Sequence, residues 1–95
     1  MKNIDDNRPV LVTDSGIGGL FTLSELVKSF PQERFIYFSD SKNVPYGNKS
    51  KKQIIGYCKK RIEYAEKCNA KLIVVACNTM SVIGHEIFAK CGIPV

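Results

Sequence analysis

The sequence predicts an α/β fold in which a parallel sheet is flanked by helices. Three short apolar runs, rich in β-branched and aromatic residues, alternate with longer segments whose apolar residues recur at helical spacing. Strands that alternate with helices are typical of a parallel sheet with right-handed crossovers. We therefore predict the order βαβαβα, followed by the start of a fourth strand at residues 93–95.

A glycine-rich turn separates the first predicted strand from the first predicted helix. Residues 9–13 are apolar and β-branched, and Asp14–Gly19 form the turn. The apolar residues that follow are spaced to line one helix face: Leu20, Leu23, Leu26, Val27 and Phe30. Pro31 is expected to end this helix, and residues 34–38 are predicted as the second strand.

The second half of the chain contains the most apolar run. A polar loop over residues 39–50 leads to a helix for which Ser50 is the expected N-cap. The apolar stripe of that helix comprises Ile54, Ile55, Cys58, Ile62 and Ala65. Asn69 is predicted in the left-handed conformation that ends a helix. Residues 71–76 predict the third strand, and residues 79–90 predict a third helix. Its inner face comprises Met80, Ile83, Ile87 and Phe88.

Length and composition limit the chain to one domain at most. The sequence has 95 residues, of which 44% are hydrophobic, and no apolar run approaches the roughly 20 residues of a membrane-spanning helix. We therefore expect no membrane partner. Residues 1–8 are polar and lack a signal sequence, so we expect a flexible leader and a cytoplasmic protein.

Charge and cysteine content exclude two further classes. Much of the net charge of +5 lies between Lys49 and Lys67, where we predict a solvated helix face rather than a nucleic-acid site. The four cysteines form no CxxC pair and His85 is the only histidine, so we expect no metal site. We predict that Cys58, Cys68 and Cys91 are packing residues and that His85 lies on a helix surface.

Polar side chains follow the first and third predicted strands. Asp14 and Ser15 come after the first, and Cys77, Asn78 and Thr79 come after the third. Because ligands bind at the carboxyl ends of strands in open α/β sheets, these groups can form one site for a small amino acid. A thiolate suits proton abstraction from carbon, and a carboxylate can orient or relay that proton. The alternative is that Cys77 is a buried packing residue.

The glycine-rich turn also raises the possibility of a dinucleotide site. It follows a strand and opens a helix, and Asp40 ends the second strand where an acidic residue would meet a ribose. However, Phe21 takes the place of the third glycine of that motif, and Asp14 would repel a pyrophosphate. Dinucleotide binding is therefore the weaker hypothesis.

Four ordered motifs resemble those of the glutamate racemases, within the aspartate/glutamate racemase superfamily. They are Asp14–Leu20, Tyr37–Ser41, Val44–Gly47 and Val75–Thr79. The resemblance extends from about Pro9 to Val95. It implies the first lobe of a two-lobe racemase fold, with a leader over residues 1–8, a lobe over 9–95, and truncation at the start of the fourth strand.

The resemblance implies a cofactor-independent enzyme that interconverts L- and D-glutamate and supplies D-glutamate for peptidoglycan. Cys77 matches the first of two catalytic cysteines, and Asp14 matches the acidic residue beside it. The residues that match substrate-binding positions are Ser15, Pro45, Tyr46, Gly47, Asn78 and Thr79. The full-length enzyme is a possible homo-oligomer.

The sequence departs from the family pattern in several places. Thr13 replaces the usual phenylalanine, Ser39 replaces glycine, and Met80 replaces a small residue where it could narrow the pocket. The cysteine–threonine–histidine element of the second catalytic cysteine does not occur, so we expect the chain to be inactive alone. A noncatalytic amino-acid-binding or regulatory remnant, or a racemase for aspartate or a related amino acid, remains an alternative.

Overall fold

A computed structural model gives the architecture of residues 7–14, 19–39 and 48–95. The elements in these ranges are β1 (Val10–Asp14), α1 (Gly19–Ser29), β2 (Phe35–Ser39), α2 (Lys51–Lys67), β3 (Leu72–Val75), α3 (Asn78–Ile83) and α4 (His85–Ala89). The alternation of strands and helices confirms the predicted α/β class. The first three predicted strands lie within one residue of their observed bounds.

The three strands form a parallel sheet in the order β2-β1-β3. β1 is the central strand, so all five of its residues are buried. Thr13 lies opposite Phe38 on β2 and Val75 on β3. The ladder continues one step beyond β3, because the Ala76 amide donates to the Thr13 carbonyl at 2.9 Å. The carboxyl ends of β1 and β3 are therefore neighbours.

Helices cover both faces of the sheet, as predicted. Alternation along β1 points Leu11 toward one face, where it packs with Ile73 of β3 and Ala65 of α2. Asp14 points to the opposite face, where its side chain lies against Gly19 at the start of α1. The strand ends are thus held between α1 on one side and α2 on the other.

The predicted ends of α2 are confirmed. The Ser50 hydroxyl accepts from the Gln53 amide at 3.1 Å, and the Gln53 side chain accepts from the Ser50 amide at 2.9 Å. This capping box satisfies two amide donors at the helix start. Beyond the other end, Asn69 has φ of 58°, the left-handed conformation expected there.

The prediction of one helix over residues 79–90 is wrong, because the segment divides into α3 and α4 at Gly84. Gly84 has φ −89° and ψ 3°, away from α-helical geometry. It packs so closely on Cys58 that an added Cβ would lie 2.5 Å from the thiol sulfur. The predicted inner face is partly confirmed: Met80 and Phe88 are buried. Met80 packs in the core with Cys58 and Cys77.

The apolar face predicted for α1 is only partly covered. Leu20, Val27 and Phe30 are 47%, 46% and 39% exposed, and Gly19 is the only buried residue of α1. The helix packs mainly on β1 and β2. Within the part of the chain that the structure describes, no other element covers its remaining apolar surface to a similar extent.

The first and last residues of the described part of the chain contact the sheet region. Residues 93–95 are not a strand, contrary to prediction, but the Ile73 amide donates to the Pro94 carbonyl at 2.9 Å along the outer edge of β3. The predicted leader lies largely outside the described residues, although the Asn7 carbonyl accepts from Arg34 at 3.0 Å. The helices described here are all too short or too polar to cross a membrane.

Candidate active site

Asp14 is the buried carboxylate at the end of β1. It is 5% exposed, and its carboxylate accepts a hydrogen bond from the Gly19 amide at the first residue of α1. This approach requires glycine, because an added Cβ on Gly19 would lie 2.8 Å from the Asp14 Cβ and 2.9 Å from Oδ2. The start of α1 therefore sets the direction of the Asp14 side chain.

Cys77 follows β3 and is the N-cap of α3. Its carbonyl accepts from both the amide and the hydroxyl of Ser81, each at 2.9 Å. The residue is 8% exposed, and it belongs to a cluster with Cys58 and Met80. The thiol thus lies where the core meets the carboxyl edge of the sheet, which suits either a packing or a chemical role.

The other predicted site residues fall into two groups. Asn78 and Thr79 begin α3 directly after Cys77; Asn78 is exposed and Thr79 is half-buried. The remaining four lie outside the described residues: Ser15, Pro45, Tyr46 and Gly47. The structure therefore brings the segments of Asp14 and Cys77–Thr79 together at one edge and gives no position for the rest.

Known proteins are similar to this chain in sequence and in fold. No protein-family model matches the chain. Over 75 residues it is 44% identical to glutamate racemase 3 of Caldanaerobacter subterraneus subsp. tengcongensis, which covers 79% of this chain and 28% of the relative. It is 41% identical over 93 residues to the glutamate racemase of Neisseria meningitidis serogroup C, covering 97% of this chain and 34% of the relative. The chain is homologous to part of the glutamate racemases.

A solved glutamate racemase has the same fold over this region. The crystal structure of the enzyme from Francisella tularensis subsp. tularensis, in complex with D-glutamate, aligns with a TM-score of 0.88 and 40% identity. The alignment covers 94% of this chain and 35% of that protein. The chain thus spans about a third of the length of these racemases. The resemblance drawn from the four motifs is confirmed.

Tyr37 belongs to one of the motifs shared with the glutamate racemases and lies on the Asp14 face of the sheet. Burial raises the pKa of its phenol, a hydrogen bond with Ser39 lowers it, and the charge of Asp14 raises it. The phenol therefore stays protonated at neutral pH and can donate a hydrogen bond next to Asp14.

Cys58 is a second buried thiol near the Cys77 thiol of this racemase homologue. Burial raises the pKa of Cys58 from an ordinary value near 9 to about 11, while Arg61 lowers it and Cys77 raises it. Cys58 is therefore a neutral packing residue at physiological pH. Cys68 and Cys91 are half-buried and pack against the core, as predicted.

The raised pKa of Cys58 predicts a loss of stability at high pH. The unfolded chain releases the thiol proton near pH 9, whereas the folded chain holds it to about pH 11. The stabilisation is complete below pH 9 and is lost as the pH rises to 11. From pH 8 to pH 10 we expect the Cys58 contribution to the free energy of unfolding to fall by about 1 kcal/mol.

Urea titrations at both pH values compare the chain with Cys58→Ala. The variant is expected to be less stable at pH 8, because it leaves a cavity, but to lose less stability on going to pH 10. Parallel pH dependence of the two proteins would contradict the assignment of this loss to Cys58.

Arg61 is the residue of this region that sequence reasoning missed. The prediction of a solvated face holds for Lys59 and Lys60 but is wrong for Arg61, which is 1% exposed. The position carries a signal, because it lies three residues after Cys58 and four before Ala65 on the buried stripe of α2. Because arginine is usually exposed, we predicted a solvated position, although the spacing along α2 indicates that residue 61 is buried.

The structure also has a groove of about 350 Å³. It runs along the outer edge of β3 and is lined by Leu72–Val75, His85 and Phe88, among others. His85 is exposed on α4, as predicted.

Proposed function

We propose that this chain forms one side of the active site of a glutamate racemase, which interconverts L- and D-glutamate without a cofactor. The observation that carries the proposal is the meeting of Asp14 and the Cys77 segment at adjacent strand ends, in a fold shared with a D-glutamate-bound racemase. The product D-glutamate would serve peptidoglycan synthesis and cell-wall growth. Residues 9–95 would form most of the first of two lobes.

In this proposal Cys77 exchanges a proton with the α-carbon of glutamate. Its thiolate removes the proton from one face of the substrate, and the carbanion then takes a proton on the other face. Asp14, held by the Gly19 amide, orients or relays the proton at Cys77. The substrate contacts are assigned to Ser15, Asn78 and Thr79, with the pocket shaped by Pro45, Tyr46 and Gly47.

Racemisation needs a second acid–base group on the opposite face of the α-carbon. The chain has no cysteine–threonine–histidine element to supply it. We therefore expect the chain alone to be inactive, because the second lobe of the racemase fold would supply that group. The residues that choose between glutamate and aspartate would then lie partly outside this sequence.

The test measures formation of D-glutamate from L-glutamate by the chain alone and by the native gene product. We expect no activity from the chain alone. In the native product, Cys77→Ser is expected to lower the rate by about a hundredfold or more, the usual contribution of a positioned acid–base group. Cys68→Ser is the matched control, because this half-buried thiol at the end of α2 is expected to leave the rate unchanged.

Two results would overturn the proposal. Racemisation by the chain alone would remove the need for a second lobe, and full activity of Cys77→Ser in the native product would exclude the thiol as the base. Faster turnover of aspartate than of glutamate would instead assign the site to the related substrate.

The packing of Cys77 in the core supports a second candidate, a noncatalytic amino-acid-binding or regulatory protein. The thiol is 8% exposed and clusters with apolar side chains. Calorimetry with L- and D-glutamate separates the two candidates. Binding that is unchanged by Cys77→Ser, together with no turnover by the native product, would favour the noncatalytic function.

A further inference from the structure

Arg61 is a charged residue buried between α2 and the end of β1. Its side chain is 1% exposed, although Lys59 and Lys60 beside it on the helix are exposed. A guanidinium that is removed from water is tolerated only when its donors find acceptors inside the protein. The groups that accept hydrogen bonds from the Arg61 guanidinium therefore show which part of the protein this residue holds in place.

The guanidinium contacts the last two residues of β1. Nε donates to the Thr13 hydroxyl at 2.9 Å, and Nη2 donates to the Asp14 carbonyl at 3.1 Å. Nη1 donates to the Tyr57 carbonyl within α2 at 3.3 Å, and Cζ lies 4.7 Å from the ring centre of Phe38. The planar fork of arginine makes these contacts together, which the single ammonium of lysine cannot do.

We propose that Arg61 is a positioning residue that fixes the Asp14 carboxylate for the candidate site. Thr13 and Asp14 are consecutive strand residues, so their side chains point to opposite faces of the sheet. Arg61 holds the Thr13 hydroxyl and the Asp14 main-chain carbonyl from the α2 side, and the Gly19 amide holds the Asp14 carboxylate from the α1 side. The significance of this arrangement rests on the role given to Asp14 in the proposed function.

The residue at position 13 is part of the same arrangement. Thr13 presents a hydroxyl that accepts a hydrogen bond from Arg61. Thr13 is fully buried, so this hydroxyl needs a partner within the protein. Thr13 and the buried arginine thus form one hydrogen-bonded unit, which supports the sheet directly beside Asp14.

The test follows the Gly19 amide by two-dimensional NMR of the whole chain, with Arg61→Lys as the variant. This amide reports the Asp14 carboxylate and lies on the face of the sheet opposite Arg61. If Arg61 positions Asp14, the variant weakens the bond between the Gly19 amide and the carboxylate. We expect its resonance to shift and its hydrogen exchange from the folded state to accelerate by about tenfold.

The control is Ala65→Gly, which weakens the packing of the same helix without touching Arg61. Ala65 is fully buried against Leu11 and Ile73, so the variant is also expected to be less stable. If Arg61 only joined α2 to the sheet, Arg61→Lys would shift the Gly19 amide resonance no more than Ala65→Gly does. An unchanged Gly19 resonance in Arg61→Lys, or an equal shift in both variants, would overturn the proposal.

Thr13→Val is a second variant for the same NMR measurement, and it provides the test if Arg61→Lys does not fold. It removes the acceptor of Nε while leaving Arg61 and the Asp14 carbonyl in place. We expect a smaller shift of the Gly19 resonance in the same direction, and no shift would overturn the proposal. Because this measurement needs no turnover, it gives a result that is independent of whether the native product racemises glutamate.

Discussion

Gly84→Ala is expected to destabilise the chain by roughly 1–3 kcal/mol, the cost of overpacking a filled core. The added Cβ would lie 2.5 Å from the Cys58 sulfur and 2.8 Å from the Met80 carbonyl oxygen. Cys58 is fully buried and the Met80 oxygen belongs to the backbone of α3, so neither can move away cheaply. Urea denaturation followed by circular dichroism measures the loss.

Gly56→Ala is the matched control for this prediction. An added Cβ at Gly56 meets nothing within 4 Å, and the residue lies within α2. The same substitution should therefore stabilise the chain by about 0.5–1 kcal/mol through its effect on backbone entropy. Opposite signs for the two variants are the expected result, and a stabilising Gly84→Ala would show that the α3–α4 corner is not tightly packed.

A double-mutant cycle identifies the clash itself. Cys58→Ala removes the sulfur that the new methyl group would meet, so the penalty of Gly84→Ala should be smaller in that background. We expect a favourable coupling of about 1 kcal/mol. Strict additivity would place the cost at the Met80 carbonyl instead.

Gly19→Ala is expected to displace the Asp14 carboxylate and to destabilise the chain by roughly 1–3 kcal/mol. The new Cβ would lie 2.8 Å from the Asp14 Cβ and 2.9 Å from Oδ2, where both residues are buried. Either the start of α1 or the Asp14 side chain must move. Urea denaturation measures the stability, and the carboxyl carbon resonance of Asp14 reports the displacement.

Asp14→Ala tests the origin of this penalty, because it removes Oδ2 and Cγ, two of the three atoms nearest the added methyl group. Part of the penalty of Gly19→Ala should disappear in the Asp14→Ala background. The prediction would be contradicted if Gly19→Ala stabilised the chain, as Gly56→Ala is expected to, and left the Asp14 resonance unchanged. The position of the Asp14 carboxylate would then not depend on glycine at residue 19.

The elements whose signals are local were predictable from the sequence. The capping box at Ser50 and the left-handed Asn69 depend on residues within a few positions of each other, and both are found as expected. The apolar run of β3 is long enough to mark a strand but too short to fix its ends, which shift inward by one residue on each side.

Features that depend on distant residues were not predictable in the same way. Gly84 divides the predicted third helix because it packs against Cys58, which lies on another helix. Arg61 is buried because Thr13 and Asp14, 48 and 47 positions earlier, supply its acceptors. Helical periodicity marks position 61 as buried, but it does not indicate which distant residues Arg61 or Gly84 will contact.

The candidate site combines both kinds of information. By itself, the sequence determined the α/β order, the polar residues that follow β1 and β3, and the resemblance to glutamate racemases, because these depend on local pattern and motif order. Only the tertiary structure decided that Asp14 is held by Gly19 on one face and by Arg61 on the other. Those contacts join three elements through the centre of the sheet, and a linear pattern carries no record of which elements will meet.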